Sequence, residues 1–274
     1  MKKILFKIKE KLVYIYGVLF VLSVIPFFIH INHSSHEPLQ NELYSKYLKK
    51  INTVDKAVDH IIKMNKNQKN NLDTSLFVRN TESFVKRRFY HGLSTYSVSE
   101  NWIAYFGGEF LWSHFSAIVI PNDLLKHSEG LCSQQSMVFM EILSKRGIKT
   151  RHIGWGTDET EGHFLVEVYY NSSWHLYDVN MEPDWEKINN SIERKSMHYF
   201  LKNKESLFKA YQGRLDKKIF FDMLDNVKFG KINTYPARNM RFFHFGSKIA
   251  VITLPFLFFL LFALQFRKKL KTSK

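Results

Sequence analysis

A disulfide within the chain is excluded at once, because its 274 residues contain a single cysteine, Cys132. The fold therefore has to stand on its own core, and the lone thiol needs another explanation. A second cysteine is also missing from any metal-binding pattern. The histidine groupings that could be drawn, His33 with His36 or His152 with His163 and His175, lack a persuasive ligand spacing, so no metal or cofactor is expected. The chain has no internal repeat and no low-complexity tract, and no zinc-finger, helix-turn-helix or RNP-like pattern.

Apolar residues make up 45% of the sequence and aromatic residues 16%, too much for disorder and enough for a real core. The net charge of +15 points first to nucleic acid, until its position is considered. Residues 1–11 carry +4 and residues 267–274 carry +5 with no acid, leaving +6 for everything between. Spread over a whole domain, that residue is a poor nucleic-acid footprint, and no nucleic-acid partner is expected.

Both basic tails adjoin long apolar runs. Leu12 to Ile31 contains no Asp, Glu, Lys or Arg, and as a helix its 20 residues match the roughly 30 Å of hydrocarbon in a bilayer. It is longer than a signal-peptide core and lacks an A-x-A-like cleavage site, so it reads as an uncleaved anchor. Ile249 to Phe266, with Gln265 as its one strongly polar residue, ends at the basic run Arg267 to Lys271 and reads as a second span. A buried core helix is the plainer alternative for it. Short Lys/Arg-rich flanks stay on the cytoplasmic side, which predicts both termini inside and the intervening domain periplasmic or extracellular. The stripe Phe242 to Phe245 suits an interfacial anchor.

Between the spans, His33 to Asn41 suits an exit linker, and Glu42 to Met64 repeats apolar residues at three- and four-residue steps as an amphipathic helix does. Asn65 to Asn71 reads as a break. Thr81 is the expected cap of a second helix closed by His91-Gly92. Residues 93–120 are aromatic-rich and give no clear periodicity. Ser191 to Leu224 reads as helical.

The segment GLCSQQSMVFMEILSKRG, residues 130–147, predicts a helix that opens at Cys132 and ends on Lys145, Arg146 and a Gly147 cap. Free N–H groups and the positive end of the helix dipole favour a thiolate there, and the backbone N–H can face a developing oxyanion. A short strand follows at Thr150 to Trp155, then a hairpin of His163 to Tyr170 and Trp174 to Val179. With an even-numbered turn, paired positions sum to 343, and His163 and Asp178 become same-face diagonal neighbours about 7 Å apart. A plain three-residue loop would put them on opposite faces.

The order of these elements, with G-x-C-x-x-x-S at Gly130 to Ser136, R-G-I-x-x-R at Arg146 to Arg151, G-H-x-x-x-E at Gly162 to Glu167 and W-x-x-x-D at Trp174 to Asp178, resembles the transglutaminase-like superfamily. The likeness covers Gly130 to Pro183. It implies an α+β fold with a papain-like core, Cys132 as nucleophile, His163 as general base and then acid, and Asp178 as the group that orients His163. Leu165 stands where many members have Trp, and the upstream oxyanion donor is unassigned between Trp102, Trp112 and others. Glu167 reads as structural or supporting.

The expected layout is a basic tail at 1–11, a span at 12–31, a linker and stem helix at 32–71, and the transglutaminase-like domain at 72–225. A linker at 226–248, the second span at 249–266 and a basic tail at 267–274 complete it. The expected activity is thioester-forming acyl transfer, or hydrolysis of an amide or peptide, on the outer side of the membrane. The expected partners are a protein, peptide or amide-containing envelope substrate, the lipid bilayer and a membrane protein. The competing reading is an inactive scaffold or binding module of the same fold in an envelope complex.

Overall fold

The computed structural model describes residues 2–29, 37–38, 42–64, 73–156, 162–181, 183, 194–212 and 215–272. The helices, in chain order, are α1 (Lys2–Val24), α2 (Val54–Met64), α3 (Thr74–Arg88), α4 (Val98–Phe110), α5 (Pro121–Leu124) and α6 (Cys132–Ser144). After the strands β1 (Lys149–Trp155), β2 (His163–Tyr170) and β3 (Ser173–Tyr177) come α7 (Met197–Lys202), α8 (Lys204–Ala210) and α9 (Lys217–Asp225). A two-residue strand β4 (Lys228–Phe229) precedes the long α10 (Arg238–Thr272). The four strands form one antiparallel sheet in the order β3-β2-β1-β4, which makes the fold α+β.

The chain divides into two compact units. One comprises residues 1–34, 95–118 and 239–274. Its α1 and α10 are both long and apolar enough to cross a membrane, over Lys11–Phe28 and Arg238–Lys271. Only 17% and 6% of these stretches are buried, so neither behaves as the core helix that the plainer reading of the second run required. Tyr14 meets Lys269, Gly17 meets Phe262, and Phe20 meets Phe259 at a ring separation of 5.4 Å. Residue numbers that rise on one helix as they fall on the other mean antiparallel packing, so the two basic ends lie at the same end of the pair.

The other unit comprises residues 35–94 and 119–238. Its sheet has two differently covered faces, because successive side chains point to opposite sides. Phe139 of α6 packs on Tyr177 on one side. On the other, Ile153, Trp155, Leu165 and Leu176 form a core with Met197, Phe200, Leu207, Tyr211, Phe220 and Leu224 from α7, α8, α9 and the turn after α8. α6 ends as its sequence requires. Gly147 takes φ +67°, the Ile148 N–H reaches the Leu143 carbonyl at 3.2 Å, and the Gly147 N–H reaches Ser144 at 2.9 Å, which together stop the helix.

Several local expectations need correcting. α3 starts at Thr74, capped by the Asp73 carboxylate on the Ser75 N–H. Thr81 lies inside it, buried, its hydroxyl donating to the Phe77 carbonyl at 2.7 Å. A hydroxyl can serve either bond, and the residues left outside the helix decide which. The stem periodicity becomes a 3-10 turn at Lys46–Lys50 and the separate α2, and the 191–224 region becomes three short helices with new starts at Ser196, Asn203 and Asp216. The break at Asn65 to Asn71 and the start at Ser191 lie outside the described residues. The segment that gave no periodicity contains α4.

Candidate active site

Cys132 is the first residue of α6 and is half-buried. Its position depends on Gln134 and Gln135. The Gln134 side chain accepts from the Leu131 N–H at 3.1 Å and the Ser94 N–H at 3.0 Å and donates to the Ser94 carbonyl at 2.8 Å. Gln135 donates to the Gly130 carbonyl at 2.7 Å, and a Cβ on Gly130 would come within 3.2 Å of the Gln135 side chain. Gly130 is thus where the incoming chain passes closely over the helix start. Ser136, a turn later, donates to the Phe164 carbonyl at 3.4 Å and ties α6 to β2 beside His163.

The hairpin between β2 and β3 turns on two residues, Asn171 and Ser172, both with positive φ (48° and 60°). Two such residues match the twist of the flanking strands, as in a type I′ turn. Tyr170 pairs with Ser173 and Val166 with Tyr177, so every pair sums to 343. The even-turn condition is met. Asp178 follows the end of β3, and its Oδ2 lies 2.7 Å from His163 Nε2.

Asp178 is fully buried and its charge is well solvated by the protein. Oδ2 also accepts the Tyr211 hydroxyl at 2.7 Å, while Oδ1 accepts the Met181 N–H at 2.8 Å and the Asn180 N–H at 3.1 Å. Burial would raise this carboxyl, but the His163 charge and hydrogen bond, the Met181 N–H and Tyr211 outweigh it and hold it below the usual range. For His163 burial opposes the charge; the Asp178 field and hydrogen bond, then the hydrogen bond and charge of Cys132, overcome that and push the imidazole up to about 10. The Cys132 sulfur thus lies near enough to act on the imidazole, and Asp178 is its hydrogen-bond partner. With Nε2 on Asp178, Nδ1 is the nitrogen left for the sulfur. Its side chain is 12% exposed, enough for a reacting group to approach.

Of the three residues singled out in the sequence, His163 and Asp178 are hydrogen-bonded and Cys132 lies near enough to act on the imidazole. Tyr211 was missed. A tyrosine 33 positions beyond the aspartate carries no local signal, and it reaches Asp178 only because the helices after the sheet fold back on it. Trp155 was also missed. It packs 5.8 Å from the His163 ring and 5.6 Å from Tyr211, and its indole N–H has no hydrogen-bond partner among the described residues. Trp102 and Trp112, weighed as oxyanion donors, belong to the unit containing α1 and α10, whereas Cys132 belongs to the other.

Three other motif residues, Arg151, Glu167 and Trp174, form a second cluster on the sheet. Arg151 on β1 faces Glu167 on β2, and its Nε and Nη2 each lie 2.6 Å from Glu167 Oε2. Glu167 Oε1 accepts the Met197 N–H at the start of α7, at 2.6 Å. The Arg151 guanidinium lies between the rings of Trp174 and Phe229, each 4.6 Å away. These residues brace the strands that hold His163 and Asp178.

Comparison with known protein families, curated proteins and solved structures returned no match at a significant level. Among the described residues, the chain is α+β with one four-stranded antiparallel sheet, a His163–Asp178 hydrogen bond and two helices of membrane-spanning length.

Proposed function

We propose that this chain is a membrane-anchored cysteine acyl-transfer enzyme of the transglutaminase-like type, acting on an amide of a protein, peptide or envelope polymer outside the membrane. The observation that carries the reading is the hydrogen bond from His163 to the buried Asp178, with Cys132 at the start of α6 close enough to act on the same imidazole. The ends of a helix, one strand and its hairpin partner meet there with the three residue types that thiol acyl transfer uses.

In this reading the Cys132 sulfur attacks the acyl carbon of the amide while His163, held protonated by Asp178, balances its charge. The carbonyl electrons move to oxygen, and the N–H groups opening α6 face the oxyanion. The tetrahedral adduct collapses as His163 passes its proton to the departing nitrogen, which leaves a thioester and a neutral imidazole. Water or an amine then attacks the thioester, giving its proton to His163 as the C–S bond breaks. Water yields a carboxylic acid; an amine yields a new amide.

The antiparallel pairing of α1 and α10 supports an arrangement with both termini on one side, and the Lys/Arg-rich tails select the cytoplasmic side for them.

Alkylation tests the thiol. In detergent-solubilised full chain at neutral pH, iodoacetamide is expected to modify Cys132 roughly tenfold faster than an unperturbed thiol, of which only a few per cent is thiolate. His163→Ala is expected to remove that advantage. Equal rates in the two proteins would leave the inactive scaffold as the reading to keep.

A further inference from the structure

From Trp102 to Ile120 the chain carries one charged residue, Glu109, in a protein with a net charge of +15. As far as Ile118 this stretch belongs to the same compact unit as α1 and α10. α4 packs against the 3-10 turn Ile25–Phe28 that ends the first apolar run. Its other attachment is to α10 just before the second run begins. The Asn101 amide donates to Ser247 Oγ at 2.8 Å, the His244 imidazole bonds the Phe115 carbonyl at 2.8 Å, and Phe115 packs on Phe243 at 4.7 Å. The segment is therefore fastened at the level where both apolar runs leave off.

The turn it makes there is tight. A Cβ on Gly108 would lie 2.4 Å from Ser116 Oγ, and one on Gly107 would lie 3.3 Å from Phe115, so the returning chain presses against the end of α4 where only glycine fits. Pressed together in this way, the two limbs leave the intervening side chains on the outside. Phe110 is 79% exposed and Leu111 81%, with Trp112 and Phe106 exposed beside them. Phe256 and Ile252, on the apolar surface of α10, reach 71% and 68%. The tip is thus as bare as the flanks of a helix built for lipid, and contiguous exposed apolar surface of this kind marks a contact site.

We infer that the tip Phe106–Trp112 is a third membrane element, which inserts into the interfacial zone of the same leaflet face from which α1 and α10 emerge, with lipid as its partner. The inference rests on the membrane reading of those two helices. Tryptophan and tyrosine favour the headgroup level, and phenylalanine and leucine the acyl boundary beneath it. Tyr105, Phe106, Phe110, Leu111 and Trp112 supply both, while the lone Glu109 can remain in the headgroup layer. The tip would fix the depth of the chain at the surface, which two spans free to slide and tilt do not.

The test uses the full chain reconstituted in phosphatidylcholine-phosphatidylglycerol vesicles, with Cys132→Ser removing the native thiol. Leu111→Cys, Phe256→Cys and Lys218→Cys each provide one site for an environment-sensitive nitrobenzoxadiazole label. Leu111 and Lys218 are both exposed, so neither substitution disturbs packing. The label at 111 is expected to shift to the blue and to be quenched by acyl-brominated lipid severalfold more than the label at 218. Quenching at 256 without quenching at 111 would overturn the tip insertion and leave the spans standing. Shielding at 111 from both brominated lipid and aqueous iodide would overturn it in favour of a protein partner. No lipid quenching at 256 would remove the membrane reading and the tip proposal together.

Discussion

Asp178 is itself without exposure to solvent and accepts four hydrogen bonds, whose donors come from three parts of the chain. Two are backbone N–H groups of the turn that the aspartate itself opens, a pattern that Asp favours at turns. The imidazole arrives through hairpin register, and the tyrosine through packing of the far helices. Tyr211→Phe removes one bond to a charged acceptor, which is expected to destabilise the chain by about 1.5–3 kcal/mol in thermal or denaturant unfolding. It also removes one of the causes that hold the carboxyl low. Asp178 then takes up its proton at a higher pH, so the acid edge of the Cys132 alkylation profile is expected to move upward. An acid edge that stays in place in Tyr211→Phe would reduce Tyr211 to a packing residue.

At the scale of elements, the hairpin carries most of the positional information. Its two strands were readable as aromatic and β-branched runs on either side of a polar turn, with successive side chains on opposite faces. The sequence Asn171-Ser172-Ser173 still left the turn length open between even and odd. The two positive φ values settle it, because they let a two-residue turn follow the strand twist. The Arg151–Glu167 pair then locks β1 to β2 and, through the Met197 N–H, both to α7. Glu167→Ala would leave a mostly buried guanidinium uncompensated and a helix-start N–H unbonded. Loss of about 3–5 kcal/mol is expected from unfolding measurements. Glu167→Gln should recover part of it, since an amide oxygen can still accept from Met197. The helix boundaries were less legible. Asp73 rather than Thr81 caps α3, and three short helices replace one after the sheet, because end points depend on which neighbours are free to satisfy the terminal N–H groups.

For the whole molecule, the unit containing α1 and α10 takes in residues 95–118, a segment that sits between two parts of the sheet-bearing unit in the sequence. No periodicity announced this, since an aromatic-rich stretch is apolar whether its partner is a core, another helix or lipid. The topology can be checked directly. Protease added to the outside of intact, oriented cells is expected to digest the region between the spans and to leave tags on both termini protected. Cleavage of the tags with protection of the domain would reverse the orientation.

The sequence by itself determined the two apolar runs, the helix that begins at Cys132, the strand order His163 to Asp178 and the set of residue types available for thiol chemistry. These follow from composition and period, which act over a few residues. Only the tertiary structure decided that the imidazole stands between sulfur and carboxylate, that Tyr211 completes the carboxylate's bonds, and that residues 95–118 join the apolar helices. Those outcomes depend on distances between groups tens of residues apart, and such distances are set by how faces pack rather than by any local pattern.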